Sequence, residues 1–148
     1  MEPAPKPGLF KIFSCKCPRC RRGDMFLSKK PYKKGFMRMP DKCAECGQYM
    51  ELEVGFYYGS SYVSYALAVA ISVASFLAWF VFIGVSTNDN RVFYWLAVNG
   101  VLILALQPII MRLARTMWLW IFVRYEPYWK FKPAKRPERL NESQKNAW

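Results

Sequence analysis

Three cysteines fall within six positions at the start of "CKCPRCRRGDMF" (Cys15 to Phe26), and a second pair brackets "CAEC" (Cys43 to Cys46). Thiolate sulfur is a soft ligand that Zn²⁺ takes up tetrahedrally, and two C-x-x-C units separated by 22 residues have the spacing of a four-thiolate site. Cys17, Cys20, Cys43 and Cys46 are therefore the expected ligands of a structural Zn²⁺ with no coordination position left open. Gly47 supplies the positive φ that the turn after the second pair favours. In the first unit Arg21 stands at that place and Gly23 comes two residues late, which implies strain or a variant turn. Cys15 reads as a small, partly buried apolar residue beside the site. Its alternatives are to replace Cys17 as ligand, or to form a transient copper(I) site within the "CKC" unit.

The same residues narrow the chemistry. The chain has no histidine, so the commonest general base and the commonest nitrogen ligand are both missing. A closed four-cysteine site cannot activate water. The acidic residues near it, Asp24, Asp41, Glu45, Glu51 and Glu53, lie among many lysines and arginines, where surface pairing accounts for them. No βαβ pattern surrounds either C-x-x-C unit, which speaks against a thioredoxin-like redox role. The expectation is a protein without catalytic activity.

The elements that must position the cysteines come from hydropathy. No charged side chain occurs from Val54 to Asn88, and Tyr62 to Val85 is long enough to cross a hydrocarbon core of about 30 Å. Val92 to Met111 forms a second uncharged run of the same reach. The remaining residues are too few and too charged to cover two helices apolar all round, so both are expected to span a membrane. The intervening "STNDNR" is short, which predicts an antiparallel hairpin with both termini on one side. Twelve Lys or Arg precede Val54, one lies in the loop (Arg91) and nine follow from Arg112, so the positive-inside rule puts both termini in the cytoplasm. Thiols on that side stay reduced, which disfavours disulfides.

The chain then divides into a leader (1–12), a zinc-ribbon module (13–53), the transmembrane hairpin with a C-terminal helical extension (54–125) and a basic, Pro-rich tail (126–148). The ribbon segment lacks the apolar mass to fold alone, and a metal would supply the missing stability. Ending the second span near Met111 keeps Arg112 and Arg115 out of the bilayer centre, where each would cost about 2.5–3.5 kcal/mol. Arg112 to Tyr125 is then an interfacial helix or a continuation into the cytosol, closed by Pro127, with Arg112, Arg115 and Trp118 at anionic headgroups. The aromatics of "GFYYGSS" (Gly55 to Ser61) read as an interfacial belt. Within the spans, Asn99 and Gln107 need partners and can reach Ser72 or Ser75 across the hairpin. Ala66, Ala70, Ala74 and Ala78 form a small-residue stripe expected to pack inside the hairpin.

The order "CPRCRRGDMF", basic spacer, "CAECGQYMELEVGFYYGSSYVSYAL" and two hydrophobic spans resembles the bacterial membrane proteins grouped as domain of unknown function 983, over about Phe13 to Arg124. The resemblance implies a small inner-membrane protein with a cytoplasmic zinc ribbon held by Cys17, Cys20, Cys43 and Cys46. It also implies a setting near cytochrome oxidase and its assembly factors, beside whose genes such proteins are encoded in some bacteria.

The fold class expected is thus a membrane protein: a cytoplasmic zinc ribbon, a two-helix transmembrane hairpin, and a C-terminal interfacial or extended helix. The function expected is that of an accessory protein, an assembly factor or small subunit of a larger inner-membrane complex such as a terminal oxidase. Its contact surface toward acidic protein or anionic lipid headgroups would be the spacer, with Lys29, Lys30, Lys33, Lys34 and Arg38 and the apolar anchors Phe36, Met37 and Met39. The alternatives are a copper or zinc metallochaperone using Cys15, Cys17 and Cys20, and a membrane-tethered nucleic-acid-binding ribbon. The last is disfavoured, because topology already accounts for the positive charge.

Overall fold

Both apolar runs become helices, and the second is longer than its apolar run. The computed structural model describes residues 8–84, 90–134 and 136. Helix α1 spans Ser60–Phe82 and follows a 3₁₀ turn at Phe56–Gly59; helix α2 spans Arg91–Phe122 without interruption. At 1.5 Å per residue their lengths are about 35 Å and about 48 Å, and both are long and apolar enough to cross a membrane. The predicted interhelical loop lies mostly outside the described residues, but Arg91 donates to the Ile83 carbonyl at 2.9 Å and ties the start of α2 to the end of α1.

Contacts fix the helices as antiparallel: Phe76 packs edge-on against Trp95, Ser72 and Ser75 meet Asn99, and Gly59 lies against Trp118. Asn99 is the polar clamp between them. Its Nδ2 donates to Ser72 Oγ at 3.1 Å, its Oδ1 accepts from Ser75 Oγ at 3.0 Å, and Trp95 Nε1 donates to the same Ser75 hydroxyl at 3.2 Å. The expected partnership of Asn99 with both serines therefore forms. Asn99→Leu should cost roughly 0.6–1.7 kcal/mol, the range for interhelical hydrogen bonds in a bilayer. Denaturant unfolding in detergent micelles would read it, and a stability equal to wild type would refute the clamp.

The alanine stripe behaves differently from expectation. Ala66, Ala70, Ala74 and Ala78 are all exposed, whereas Ser64, Ala68, Ile71, Ser72, Ser75 and Trp79 are half-buried on the face toward α2. The reason is the 3.6-residue period: once Ser72 and Ser75 are turned to Asn99, the alanines point away from it.

Beyond Met111, α2 continues for three more turns, so among the described residues there is no separate C-terminal helix. The continuation is α-helix and ends at Phe122, five residues before Pro127, where Val123 turns to extended backbone. Arg112, Thr116, Leu119 and Val123 are buried on one stripe of spacing four, three and four. That stripe carries the cysteine module. The core shared between them comprises Cys17, Cys20, Met25, Phe26, Cys43, Met50, Leu52, Leu119, Val123 and Trp129.

The boundaries move accordingly. Glu126 donates its backbone N–H to the Arg19 carbonyl at 3.1 Å, and Trp129 is buried in the shared core, so the first residues of the tail belong to the module. Residues 135 and 137–148 of that tail lie outside the described residues. The ribbon itself also differs: among the described residues there is no β-strand, only two isolated antiparallel bridges, Lys16 with Asp24 and Lys42 with Tyr49. Each bridge closes one cysteine turn. Segments this short gain little from a sheet ladder, and the helix stripe supplies the surface that a sheet would have.

Candidate metal centre

The two turns are built on one plan. Arg21 N–H donates to the Cys17 carbonyl at 2.8 Å, and Gly47 N–H to the Cys43 carbonyl at 2.9 Å. The residue after each pair is left-handed, Gly47 at φ 67° and Arg21 at φ 54°. The strain expected at Arg21 is thus present, and packing offsets it: its guanidinium lies 4.7 Å from the Trp120 ring centroid and 4.9 Å from that of Tyr125. The first turn closes one residue later than the second. Cys17 N–H donates to the Gly23 carbonyl at 2.9 Å, whereas Cys43 N–H donates to the Gln48 carbonyl at 2.8 Å.

The turns bring four sulfurs together. Those of Cys17, Cys20, Cys43 and Cys46 lie within 4.8 Å of one another, with Cys17 Sγ 3.7 Å from Cys46 Sγ and Cys20 Sγ 3.8 Å from Cys43 Sγ. Tetrahedral zinc with Zn–S bonds of about 2.3 Å requires sulfurs about 3.8 Å apart, so the set fits the ion. Electrostatics agree. Contact with Cys20, Cys43 and Cys46, added to burial, holds the Cys17 thiol far above its ordinary range, while contact with Cys17 first and with Cys43 and Cys46 after it holds Cys20 far below. Four sulfurs this close cannot all carry charge without a cation among them. Cys17, Cys20 and Cys43 are buried, and Cys46 is half-buried. This is a structural Zn²⁺ site with every position taken by protein. Cys15 stays outside the cluster, half-buried against the core at φ 51°.

Two residues support the site in ways that the sequence did not assign to them. Arg19 is 5% exposed and sits beneath the second turn, donating from Nη1 to the Cys46 carbonyl at 2.9 Å and from Nη2 to the Lys132 and Pro133 carbonyls at 2.5 and 3.0 Å. It ties the tail to the metal loop. Its signal was hidden because an arginine between two cysteines reads as surface charge. Gly23 is the other: a Cβ there would lie 2.3 Å from Cys43 Sγ. Its role is close approach to a ligand and not backbone freedom. Gly23→Ala is therefore expected to push Cys43 out of position and speed zinc loss at least tenfold to a chelator, as read with a chromophoric zinc indicator. Wild-type release kinetics would contradict that role.

The remaining predicted contact residues separate into two groups. Lys29, Lys30, Lys33, Lys34 and Arg38 are exposed around a basin of about 1080 Å³, with Phe36 half-buried nearby. Arg112, Arg115 and Trp118, expected at the headgroups, are instead turned into the protein. Arg112, 8% exposed, donates to the Ser28 carbonyl at 2.8 Å and the Lys29 carbonyl at 3.3 Å, and lies 4.4 Å from the Phe26 ring centroid. Arg115 donates to the Met37 carbonyl at 3.3 Å, and Trp118 Nε1 to the Phe56 carbonyl at 2.7 Å. Loop carbonyls without strand partners need donors, and these side chains provide them.

The "GFYYGSS" segment serves the same junction. Tyr57 is buried and donates to the Met50 carbonyl, and a Cβ on Gly59 would meet the Trp118 ring at 2.0 Å. Of the segment's aromatics, Tyr58 faces outward as a belt would, joined by Tyr62 and Tyr65 in the first turns of α1.

A match to the family described as "Protein of unknown function (DUF983)" covers residues 33–123. That range takes in the second cysteine pair and both helices, and it begins after the first pair. No curated protein and no solved structure matches the chain.

Proposed function

The chain belongs to the DUF983 family, and from that premise we propose that it is a non-enzymatic accessory protein of the bacterial inner membrane, an assembly factor or small subunit of a larger complex. Its helices cross the bilayer twice and its termini are cytoplasmic, in keeping with the twelve and nine basic residues that flank the spans against one between them. The observation that carries this reading is the closed metal site. Four thiolates, three of them buried, leave zinc no position for a substrate, and the cluster is packed against α2, so the ion acts as a staple for a docking module. The outward alanine stripe on α1 suits close approach of a partner helix. A terminal oxidase is the complex to test first, given the setting that the resemblance implies.

Purification in mild detergent from the native membrane, with mass spectrometry and metal analysis of one sample, tests it. One zinc per chain with stoichiometric subunits of a complex is the expected result. Copper, or readily exchanged metal without a stable partner, would replace this reading by metal delivery.

A further inference from the structure

The basin walled by Lys29, Lys30, Lys33, Lys34 and Arg38 is more than a charged loop. No carboxylate lines it among the described residues. Like charges gathered this closely repel one another, and they are held in place by other bonds. Arg112 of α2 grips the carbonyls of Ser28 and Lys29, and the Tyr32 hydroxyl donates to the Ala105 carbonyl at 2.7 Å. Ala105 lies three residues before Pro108, inside the apolar run of α2. The lysine loop is therefore fastened at the end of the span, where phospholipid headgroups would lie.

Beside the basin runs a second cleft of about 460 Å³, lined by Phe13, Pro31, Ile109 and Leu113, with Lys29 forming a wall of both. Its apolar side chains continue those of α2, and Phe13 is 67% exposed. A cationic basin joined through one lysine to an apolar groove along a membrane helix has the two chemistries of a single amphiphile. We propose that the two clefts together form a binding site for one anionic phospholipid carrying more than one negative charge, its phosphates in the basin and an acyl chain along Ile109 and Leu113. This rests on α1 and α2 crossing a bilayer as proposed above. Five cations exceed what a singly charged headgroup needs, and polybasic clusters next to a span select for headgroups of higher charge.

The test uses the full chain in phosphatidylcholine nanodiscs doped with cardiolipin, a bis-phosphate lipid, or with phosphatidylglycerol at equal total charge, and counts retained lipid by native mass spectrometry after mild delipidation. One cardiolipin per chain should survive, in preference to phosphatidylglycerol. Each Lys→Gln change among Lys29, Lys30, Lys33 and Lys34 should weaken retention roughly fivefold, and the matching Lys→Arg changes should keep it. Ile109→Ser should weaken it with the basin intact. Zinc content of one per chain identifies the variants that remain folded, and a K30Q/K33Q pair, whose side chains are exposed, serves where a single variant does not fold. Retention equal for both lipids, or unchanged in the lysine variants, would overturn the site. So would displacement by soluble pyrophosphate with no effect of Ile109→Ser, which would assign the basin to a free phosphorylated solute, or retention of RNA in place of lipid. Failure of the chain to insert across the bilayer at all, seen by cysteine-labelling topology, would instead remove the spanning premise.

Discussion

Replacing Cys43 and Cys46 by serine is expected to release the metal and unfold the whole N-terminal module while leaving both membrane helices formed. Apparent binding energies of structural zinc sites are about 10–16 kcal/mol near neutral pH, and a domain's entire stability is about 5–15 kcal/mol. The module has little else to set against that loss. It has no strand ladder among the described residues, and of the ten buried residues of the shared core three are metal ligands, Cys17, Cys20 and Cys43, and two more, Leu119 and Val123, belong to the α2 stripe. The double substitution leaves Cys17 and Cys20 with no cation to share. Zinc analysis should fall from one ion per chain to none, and trypsin should cleave rapidly within the lysine spacer. Cys15→Ser is the control, since its sulfur is outside the cluster, and it should retain the ion. A double variant with wild-type protease resistance would mean that packing on α2, without metal, holds the module.

Leu119→Ala tests the other half of that support. Leu119 is fully buried on the stripe where α2 meets the module, in the same cluster as Met25, Met50 and Leu52. Truncating a buried leucine costs about 2–5 kcal/mol, from lost transfer energy and from the cavity left behind. The cost should fall on the interface and not on the hairpin, because the residue lies about two turns past Met111. Faster zinc release and faster proteolysis of the spacer are expected together, with helix content by circular dichroism close to wild type. Leu119→Met, which conserves volume, should cost less than about 1.5 kcal/mol. Zinc release unchanged in Leu119→Ala would show that the module and α2 are energetically independent.

These two variants differ in how visible their targets are in the amino-acid sequence. The cysteines announce themselves by type and spacing, because four soft ligands in two tight turns have few other uses. The apolar runs are as plain, because water and hydrocarbon sort side chains over any 20-residue window. The stripe of Arg112, Thr116, Leu119 and Val123 does not stand out. Two of its four members are polar, and a hydropathy pattern records the arginine as a reason to end the span and not as a donor to loop carbonyls. Arg19 and Gly23 escaped for a similar reason: one looks like surface charge and the other like a late turn residue, until the partner segment is beside them.

The alanine stripe makes the same point in reverse. Its four-residue period is legible, but which face of α1 meets α2 depends on where Asn99 of the other helix finds its serines.

The sequence by itself determined the ligand set, the number of apolar helices and the side of greater positive charge, since each follows from local composition and spacing. Only the tertiary structure decided that α2 runs from Arg91–Phe122 into the cysteine module, that the first tail residues fold back on Arg19, and that Arg112 and Arg115 point inward. The physical reason is common to all three. Each depends on a loop carbonyl in one segment finding a donor in another, and no spacing along the chain records that match.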